Sequence, residues 1–204
     1  MKITAIKAQV RNPDRVSIFV DGKYAVSLTL DQLLEQRLQK GDELEEPDIQ
    51  RLKKLSDEGK LKARVLEWLM LRPHSVKELR DYMYRKKIDK DLIDAWVTEL
   101  RDKNYVNDEQ FARWFAEQRI RKNKSARIIA AELGAKGVQR DVVLSVLADI
   151  SPDDTEALRA LVAKLRARPR YQDDQKLKEH LVRKGFSYSD VAAAIAHYQE
   201  GTGD

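Results

Sequence analysis

The fold is decided by a six-residue segment that occurs three times: Met83-Tyr84-Arg85-Lys86-Lys87-Ile88, Leu133-Gly134-Ala135-Lys136-Gly137-Val138 and Leu181-Val182-Arg183-Lys184-Gly185-Phe186. Each copy has an apolar residue, two variable residues, Lys, then Gly or Lys, and a second apolar residue, and the copies start 50 and 48 residues apart. Gly137 and Gly185 fit the left-handed position that follows a helix, where a Cβ is unfavourable. Lys87 does not fit this rule, so we expect the first copy to end its helix in another way.

A period near fifty residues indicates stacked helical units, each of which buries a face against its neighbour. Ser75-Val76-Lys77-Glu78 is typical of a capping box at a helix start. We predict three helices per unit, over residues 60–71, 76–86 and 89–103, then 107–121, 126–136 and 139–149, then 152–166, 172–184 and 188–200. The expected fold is therefore mainly α: an elongated, curved solenoid of three-helix repeats at 60–105, 106–150 and 151–204.

Residues 1–59 have a different pattern and predict a small α+β cap. Asp21-Gly22 separates two β-rich segments, which indicates a hairpin that places Phe19 opposite Tyr24. Ile3, Ala5 and Lys7 could supply a third strand. An amphipathic helix is expected next, with Gly41 as its stop and these apolar residues on one side: Leu30, Leu33, Leu34 and Leu38. A second helix is expected to begin at Pro47 and to carry Ile49, Leu52 and Leu55.

Composition excludes several classes of protein. The 204 residues include 39 Lys and Arg, 34 Asp and Glu and no Cys, so the net charge is +5 and disulfides, thiolate metal sites and cysteine nucleophiles are excluded. No apolar stretch approaches the length of a membrane span, and the first residues lack the apolar region of a secretory signal. We therefore expect a soluble, cytoplasmic protein that does not enter a membrane.

The residue types needed for catalysis do not converge in the sequence. His74, His180 and His197 are far apart and lack the spacing of metal ligands, and no phosphate-binding glycine loop is present. The acidic run at 42–46 is best explained as a solvated turn before Pro47. We therefore expect a binding protein with no catalytic residues, no metal and no cofactor, rather than an enzyme.

A basic segment lies in the middle of the chain. Residues 119–127 hold five cations: Arg119, Arg121, Lys122, Lys124 and Arg127. Cations at a helix C-terminus are favoured by the helix dipole, which is a purely structural explanation. Arg127 falls at the next helix start, where the dipole does not favour it, so a surface for anions is an equally good interpretation. Two further clusters are expected at corresponding helix ends, where they would extend a basic stripe: Arg85, Lys86 and Lys87, and Arg166, Arg168 and Arg170.

Aromatic residues accompany this segment. Phe111, Trp114 and Phe115 recur with Ile120 at helical spacing and could stack on bases. An apolar stripe with this spacing is more often part of a core, so we assign these residues to the core.

These central residues resemble the RecX family of recombination regulators. The first part of the resemblance is a Tyr, Asn-Asp, Phe-Ala pattern at Tyr105, Asn107, Asp108, Phe111 and Ala112, with Arg119 downstream. The second is a Glu-Leu, Lys-Gly pattern at Glu132, Leu133, Lys136 and Gly137. Ser75, Glu78 and Lys184-Gly185-Phe186 fit the first and third units. Ser125 departs from the family pattern, in which many members have Gly.

The resemblance implies a cytoplasmic bacterial protein that binds RecA recombinase filaments on single-stranded DNA. Such proteins restrain strand exchange, ATP hydrolysis and the co-protease role of RecA in the SOS response. We expect a monomer that binds single-stranded DNA itself weakly and without sequence preference. Two alternatives stay open at this point: a helical transcription regulator that binds duplex DNA, and a metal-dependent nuclease.

Overall fold

The computed structural model describes residues 1–150 and 154–201, and the chain divides into two compact units, residues 1–71 and 72–204. The first unit contains a three-stranded antiparallel sheet in the order β1-β2-β3, followed by two helices. Their bounds are β1 (Ile3–Gln9), β2 (Asn12–Val20), β3 (Lys23–Thr29), α1 (Leu30–Glu35) and α2 (Glu46–Leu69).

The predicted hairpin is confirmed. Asp21 and Gly22 have φ of +47° and +78°, as a type I′ turn requires, and Phe19 pairs with Tyr24 across β2 and β3. One face of the sheet packs into a core with α2 and the segment before it. Its members are Ile3, Val16, Ile18, Val20, Val26, Leu28, Leu44, Ile49 and Leu52.

The helix predicted to reach Gly41 is wrong in its length. α1 ends at Glu35 because Arg37 adopts φ +51° and the Leu38 amide then bonds back to the Leu33 carbonyl at 3.4 Å. Gly41, at φ +104°, lies in a later turn that returns the chain to β1, where its amide donates to the Ile3 carbonyl at 2.9 Å.

α2 is a single helix where the sequence suggested two. It runs through residue 59, where the predicted cap meets the predicted first repeat. Gly59 is buried in its middle, and a Cβ there would lie 2.8 Å from Gln32 Nε2. This glycine therefore serves close packing of the Gln32 side chain against the helix rather than a break in the chain.

The second unit contains the rest of the predicted helices. Apart from residues 152 and 153, which lie outside the described residues, their predicted ends agree with the structure to within two residues. They are α3 (Val76–Arg85), α4 (Lys90–Asp102), α5 (Asp108–Ile120), α6 (Ala126–Ala135), α7 (Arg140–Ile150), α8 (Asp154–Arg166), α9 (Asp174–Arg183) and α10 (Tyr188–Gly201), with a 3-10 turn at Pro169–Tyr171. A mainly α fold of three-helix repeats with a small sheet is confirmed.

The second and third repeats each have their own core. That of the second contains Phe111, Ala112, Phe115, Ala116, Ile129, Leu133, Val138, Val143, Val146 and Leu147, with Trp114 and Ile120 packed against it. That of the third contains Leu158, Leu161, Val162, Leu165, Tyr171, Leu177, Leu181, Phe186, Val191, Ala194 and Ile195. The assignment of Phe111 and its aromatic neighbours to the core is therefore confirmed.

The six-residue segment ends the second helix of every repeat in the same way. Lys87, Gly137 and Gly185 all have positive φ, at +57°, +82° and +99°. The apolar residue after each donates its amide to the carbonyl of the first residue of the segment, at 3.2, 3.2 and 3.4 Å. The expectation that Lys87 needs another terminator is wrong, because this Lys adopts the left-handed conformation that Gly adopts in the other copies.

The helix ends of the second and third repeats dock onto the start of the second helix of the preceding repeat. At the first junction the Ser75 hydroxyl accepts from the Glu78 amide at 3.1 Å and donates to the Lys136 carbonyl at 2.8 Å. The Val76 amide donates to Asp108 Oδ1 at 2.8 Å. Two helix ends that would otherwise leave polar groups unsatisfied therefore complete each other.

The second junction repeats this arrangement one unit further along. The Ser125 amide donates to the Lys184 carbonyl at 3.0 Å, and the Ala126 amide donates to both carboxylate oxygens of Asp154 at 3.2 Å. A Cβ on Gly185 would lie 2.5 Å from Ser125 Oγ, and one on Gly137 would lie 2.7 Å from the Lys77 Cβ. Glycine is thus required where a helix end docks, whereas the Lys87 side chain is exposed and its Cβ is tolerated.

Glu78 is the centre of an ionic network at the first junction. Its carboxylate accepts from Arg72 at 2.9 Å and from Lys136 at 2.7 Å, and it lies 3.2 Å from Nδ1 of the buried His74. The predicted capping box is therefore only half formed, since Ser75 caps the helix but Glu78 turns to these partners. Burial raises the pKa of Glu78, but the hydrogen bonds from Arg72 and Lys136 outweigh it and lower the pKa to about 2.

Gly185→Ala is expected to lower the free energy of unfolding by about 2 kcal/mol. The left-handed backbone disfavours a Cβ by roughly 1–2 kcal/mol, and overlap with Ser125 adds to this. Gly134→Ala is the matched control, because Gly134 lies in a helix with open space around its Cβ position, and this change should stabilise slightly. Urea unfolding measures both variants, and equal stability of the two would contradict the proposed docking.

Glu78→Gln is expected to flatten the acid dependence of stability. Because the pKa of Glu78 is lowered from 4.5 to about 2 in the folded state, its contribution is complete above about pH 4.5 and is lost as the pH falls towards 2. The variant should be less stable at neutral pH and lose less stability between these pH values. Unfolding free energies across this range, with the exposed Glu109→Gln as control, provide the test. Parallel curves for wild type and Glu78→Gln would refute it.

Candidate functional site

Cations from two repeats meet at the second junction. The connection between α5 and α6 lies against the end of α9, and the Lys184 ammonium donates to the Lys122 carbonyl. Lys124 Nζ donates to the Arg183 carbonyl at 3.4 Å, and Arg127 Nε donates to the Gly185 carbonyl at 3.1 Å. We call this group the basic junction; its members are Arg121, Lys122, Lys124, Arg127, Arg183 and Lys184.

The electrostatics of the basic junction reflect this crowding. Burial and the neighbouring Lys124 lower the pKa of Lys184. Burial also lowers the pKa of His180, and the charges of Lys184, Arg183, Arg170 and Arg168 lower it further. Burial is the larger cause of both pKa shifts and the neighbouring cations add to it, so a bound anion would offset the repulsion among these cations.

The predicted basic residues have unequal environments. Arg121, Lys122 and Arg127 are exposed, and Lys124 is partly buried. Arg121 lies 3.6 Å from Glu117, a solvent-exposed pair that contributes little to stability. Arg119 differs from these residues, because it is paired with Glu132 at 2.5 Å and its guanidinium lies 4.5 Å from the centre of the Phe115 ring. Arg119 therefore supports the core of the second repeat.

The prediction that all basic clusters lie at corresponding helix ends is wrong. Arg85, Lys86 and Lys87 end the second helix of their repeat and correspond to residues 135–137 and 183–185, whereas 119–127 follows a first helix. All three are exposed, and Lys86 Nζ lies 5.5 Å from the centre of the Tyr82 ring. They form a second basic surface outside the basic junction.

The third predicted cluster is also divided. Arg166 is largely buried and pairs with Asp174, and it donates to the Tyr171 and Gln172 carbonyls at 3.1 and 2.7 Å. Arg168 and Arg170 are exposed. Arg166 therefore holds the connection between α8 and α9, while the other two add positive charge near His180.

Most residues of the family motif are structural. Asn107 caps α5 by accepting from the Glu109 and Gln110 amides at 2.9 and 3.1 Å, and Asp108 caps the preceding repeat. Phe111, Ala112 and Leu133 are fully buried, Glu132 pairs with Arg119, and Lys136-Gly137 docks at the first junction. Tyr105 is the exception, with 50% of its surface exposed.

A cavity of about 250 Å³ lies beside the basic junction. Lys124 and Lys164 contribute cations to its wall, Ile120, Leu161 and Phe186 contribute apolar surface, and the one lining carboxylate, Asp154, accepts from the Ala126 amide. The combination suits an anionic group that carries an apolar part.

Two further structural findings concern chemistry and membranes. Among residues 1–150 and 154–201, no group of three or more His, Asp or Glu side chains is placed to hold a metal ion. In the same part of the chain, every helix is too short or too polar to cross a membrane.

Sequence reasoning missed Arg183 and Lys184 as members of the basic surface. The signal was present, because the six-residue segment aligns Lys184 with Lys136 and both lie at the docked helix ends. What the sequence could not indicate was that residues about 60 positions apart, such as Lys122 and Lys184, lie side by side.

Family models match nearly the whole chain. They are described as the regulatory protein RecX N-terminal domain at residues 1–45 and the first, second and third RecX three-helix domains at residues 62–103, 107–147 and 152–195. The model of the first three-helix domain begins inside α2, so the last part of that long helix is its first helix.

Curated relatives and solved structures agree with these matches. Regulatory protein RecX of Bacillus pumilus (strain SAFR-032) is 34% identical over 206 residues, covering 98% of this chain and 78% of that protein. Its counterpart from Bacillus subtilis (strain 168) is 33% identical, covering 95% and 75%.

A crystal structure of regulatory protein RecX has a TM-score of 0.76 at 26% identity, covering 96% of this chain and 98% of that one. RecX from Lactobacillus salivarius shares the fold, with a TM-score of 0.57 at 23% identity, covering 69% of this chain and 96% of that one. The chain belongs to the RecX family of regulatory proteins.

Proposed function

We propose that this chain binds RecA recombinase filaments on single-stranded DNA and inhibits their recombinase, ATPase and co-protease activities. By doing so in the cytoplasm it would modulate DNA repair, recombination and the SOS response. Membership of a family of regulatory proteins supports a regulatory role, and the basic junction is the observation that carries the proposal.

The basic junction is suited to a polyanionic partner. Its cations come from the second and third repeats, and repulsion by Lys124 adds to the burial that lowers the pKa of Lys184. Phosphates of the filament's DNA, or acidic side chains of RecA, would relieve this repulsion and gain several charge contacts at once. The contacts are partly exposed, so the affinity would be moderate and would fall with salt.

Arg85, Lys86 and Lys87 form the second proposed contact surface. They are exposed at the end of α3, whereas the corresponding residues Lys136-Gly137 and Lys184-Gly185 are occupied by docking onto a preceding repeat. The helix end of the first repeat is therefore accessible to a partner, whereas the equivalent helix ends of the other two repeats contact the preceding repeat.

The proposal assigns no catalytic step, cofactor or metal, and it treats the active species as a monomer. The inhibitory effect would come from occupancy of the filament alone. A helical regulator of transcription would instead prefer duplex DNA and act without RecA, and this alternative is separated by the experiment below.

Arg121→Glu combined with Lys122→Glu is expected to raise the concentration needed to inhibit the RecA ATPase by about tenfold. Two exposed charge contacts of roughly 0.5–1 kcal/mol each would be lost, and like charges would replace them. Among the described residues, the exposed pair of Arg121 with Glu117 is the one ion pair or hydrogen bond that these two side chains make, so folding should be unaffected. The measurement is ATP hydrolysis by RecA on oligothymidylate, titrated with each protein at several salt concentrations.

The charge-matched control is Lys90→Glu combined with Arg140→Glu. Both residues are exposed first residues of helices, where Glu is favoured by the dipole, and neither belongs to the basic junction. Equal inhibition by the test and control variants would remove the basic junction from the mechanism. Excess duplex DNA should leave inhibition of the RecA ATPase unchanged. If the protein were a duplex-specific regulator, the added duplex would bind it and inhibition would be lost.

A further inference from the structure

The outer face of the three-stranded sheet is unlike its inner face. Val16, Ile18 and Leu28 alternate along the strands into the core of the first unit. The residues between them face the other way and combine aromatic, cationic and hydroxyl groups. On this outer face lie Lys7, Gln9, Ser17, Phe19, Tyr24 and Ser27.

Two aromatic rings dominate the outer face. Phe19 and Tyr24 pair across β2 and β3 with ring centres 6.2 Å apart and planes at 80°. Tyr24 keeps 60% of its surface exposed, and Lys7 Nζ lies 5.3 Å from the centre of the Phe19 ring. The solvent side of an antiparallel sheet is usually polar, so an exposed ring pair beside a cation is a feature that a ligand would explain.

The rings are held by a hydrogen-bond network. The Tyr24 hydroxyl lies 3.0 Å from Ser27 Oγ, and the Gln9 amide donates to Ser27 Oγ at 2.8 Å and to Ser17 Oγ at 3.1 Å. A tyrosine fixed in this way loses little rotamer entropy when a flat ligand stacks on it.

Charge within the first unit is separated between sheet and helices. Residues 1–29 contain five Lys and Arg and two Asp and Glu, a net charge of +3, whereas residues 30–71 contain eight and ten, a net charge of −2. Arg15 is buried against the Ser27 carbonyl and Ser56, so the other four cations remain at the surface: Lys2, Lys7, Arg11 and Lys23. The sheet would attract a polyanion that the helices repel.

We propose that the outer face of this sheet binds single-stranded DNA. Unpaired bases stack on Tyr24 and Phe19, and Lys7, which lies on the same face, contacts a neighbouring phosphate. Duplex DNA is a poor ligand, because its paired bases expose no ring faces, and binding is independent of sequence because every base has such a face. The choice of DNA as the strand rests on the proposed function, which places the protein at single-stranded DNA.

The test compares an oligothymidylate with an abasic oligonucleotide of equal length, by fluorescence anisotropy and without RecA. Wild type should bind the oligothymidylate about tenfold more tightly, since base stacking on one aromatic ring has about that effect. Tyr24→Ala should remove this preference and leave abasic binding unchanged. Tyr24→Phe keeps the ring and should keep the preference, as should Tyr105→Ala, which removes an exposed tyrosine elsewhere.

Three results would overturn the proposal. The first is no preference for the base-containing oligonucleotide in wild type, and the second is an undiminished preference in Tyr24→Ala. The third is weaker filament inhibition by Tyr24→Ala when wild type shows no base preference, which would indicate a protein ligand.

Photocrosslinking of wild type to 5-iodouracil-containing DNA gives a readout that needs no variant. Attachment within residues 16–26 supports the proposal, and attachment only elsewhere refutes it. The Arg121→Glu, Lys122→Glu protein should bind both oligonucleotides more weakly by the same factor. Because these measurements contain no RecA, failure of the RecA proposal would leave the base preference unchanged.

Discussion

The first-turn amides of α3 and α6, the middle helices of the first two repeats, need hydrogen-bond acceptors, and the following repeat supplies one to each helix. Asp108 and Asp154 accept from the Val76 and Ala126 amides, while Ser75 and Ser125 bind the carbonyls that end the next second helix. The first four amides of a helix have no acceptor inside the helix, and this end of the helix carries a partial positive charge. An acceptor from a neighbouring repeat therefore forms a stabilising hydrogen bond there. This requirement fixes where each repeat sits on the one before it.

The same docking builds the basic junction. Lys122 and Lys184 are distant in sequence and belong to different repeats, and they meet because the end of α9 is seated at the start of α6. The ends of the array differ from its interior in a consistent way. Lys87 occupies a position that is Gly where docking occurs, and α9 is capped by the preceding Asp173, whose carboxylate accepts from the Gln175 and Lys176 amides. Terminal repeats that satisfy their own exposed groups are a general property of repeat proteins.

The sequence predicted features that depend on neighbours along the chain. Asp21-Gly22 determines its own turn, and the helices of the second unit follow from apolar spacing and capping residues. Features that depend on distant residues escaped prediction. Two helices were predicted where α2 is continuous, because the packing of the Gln32 side chain against Gly59 is not visible in the sequence. Arg37 and Lys87 adopt left-handed conformations that only the surrounding hydrogen bonds make favourable. For the candidate site, the cations were identifiable from 119–127, but the structural role of Arg119 and the contribution of Lys184 required the fold.

Hydrogen–deuterium exchange, measured on the free protein and on the protein bound to RecA filaments, tests the account most directly. The Ala126 amide should exchange slowly in both states, because Asp154 accepts from it at 3.2 Å, and the amides of residues 121–124 should gain protection only on the filament. Rapid exchange of Ala126 in the free protein, as for an uncapped first-turn amide, or unchanged exchange at 121–124 on filaments, would contradict it.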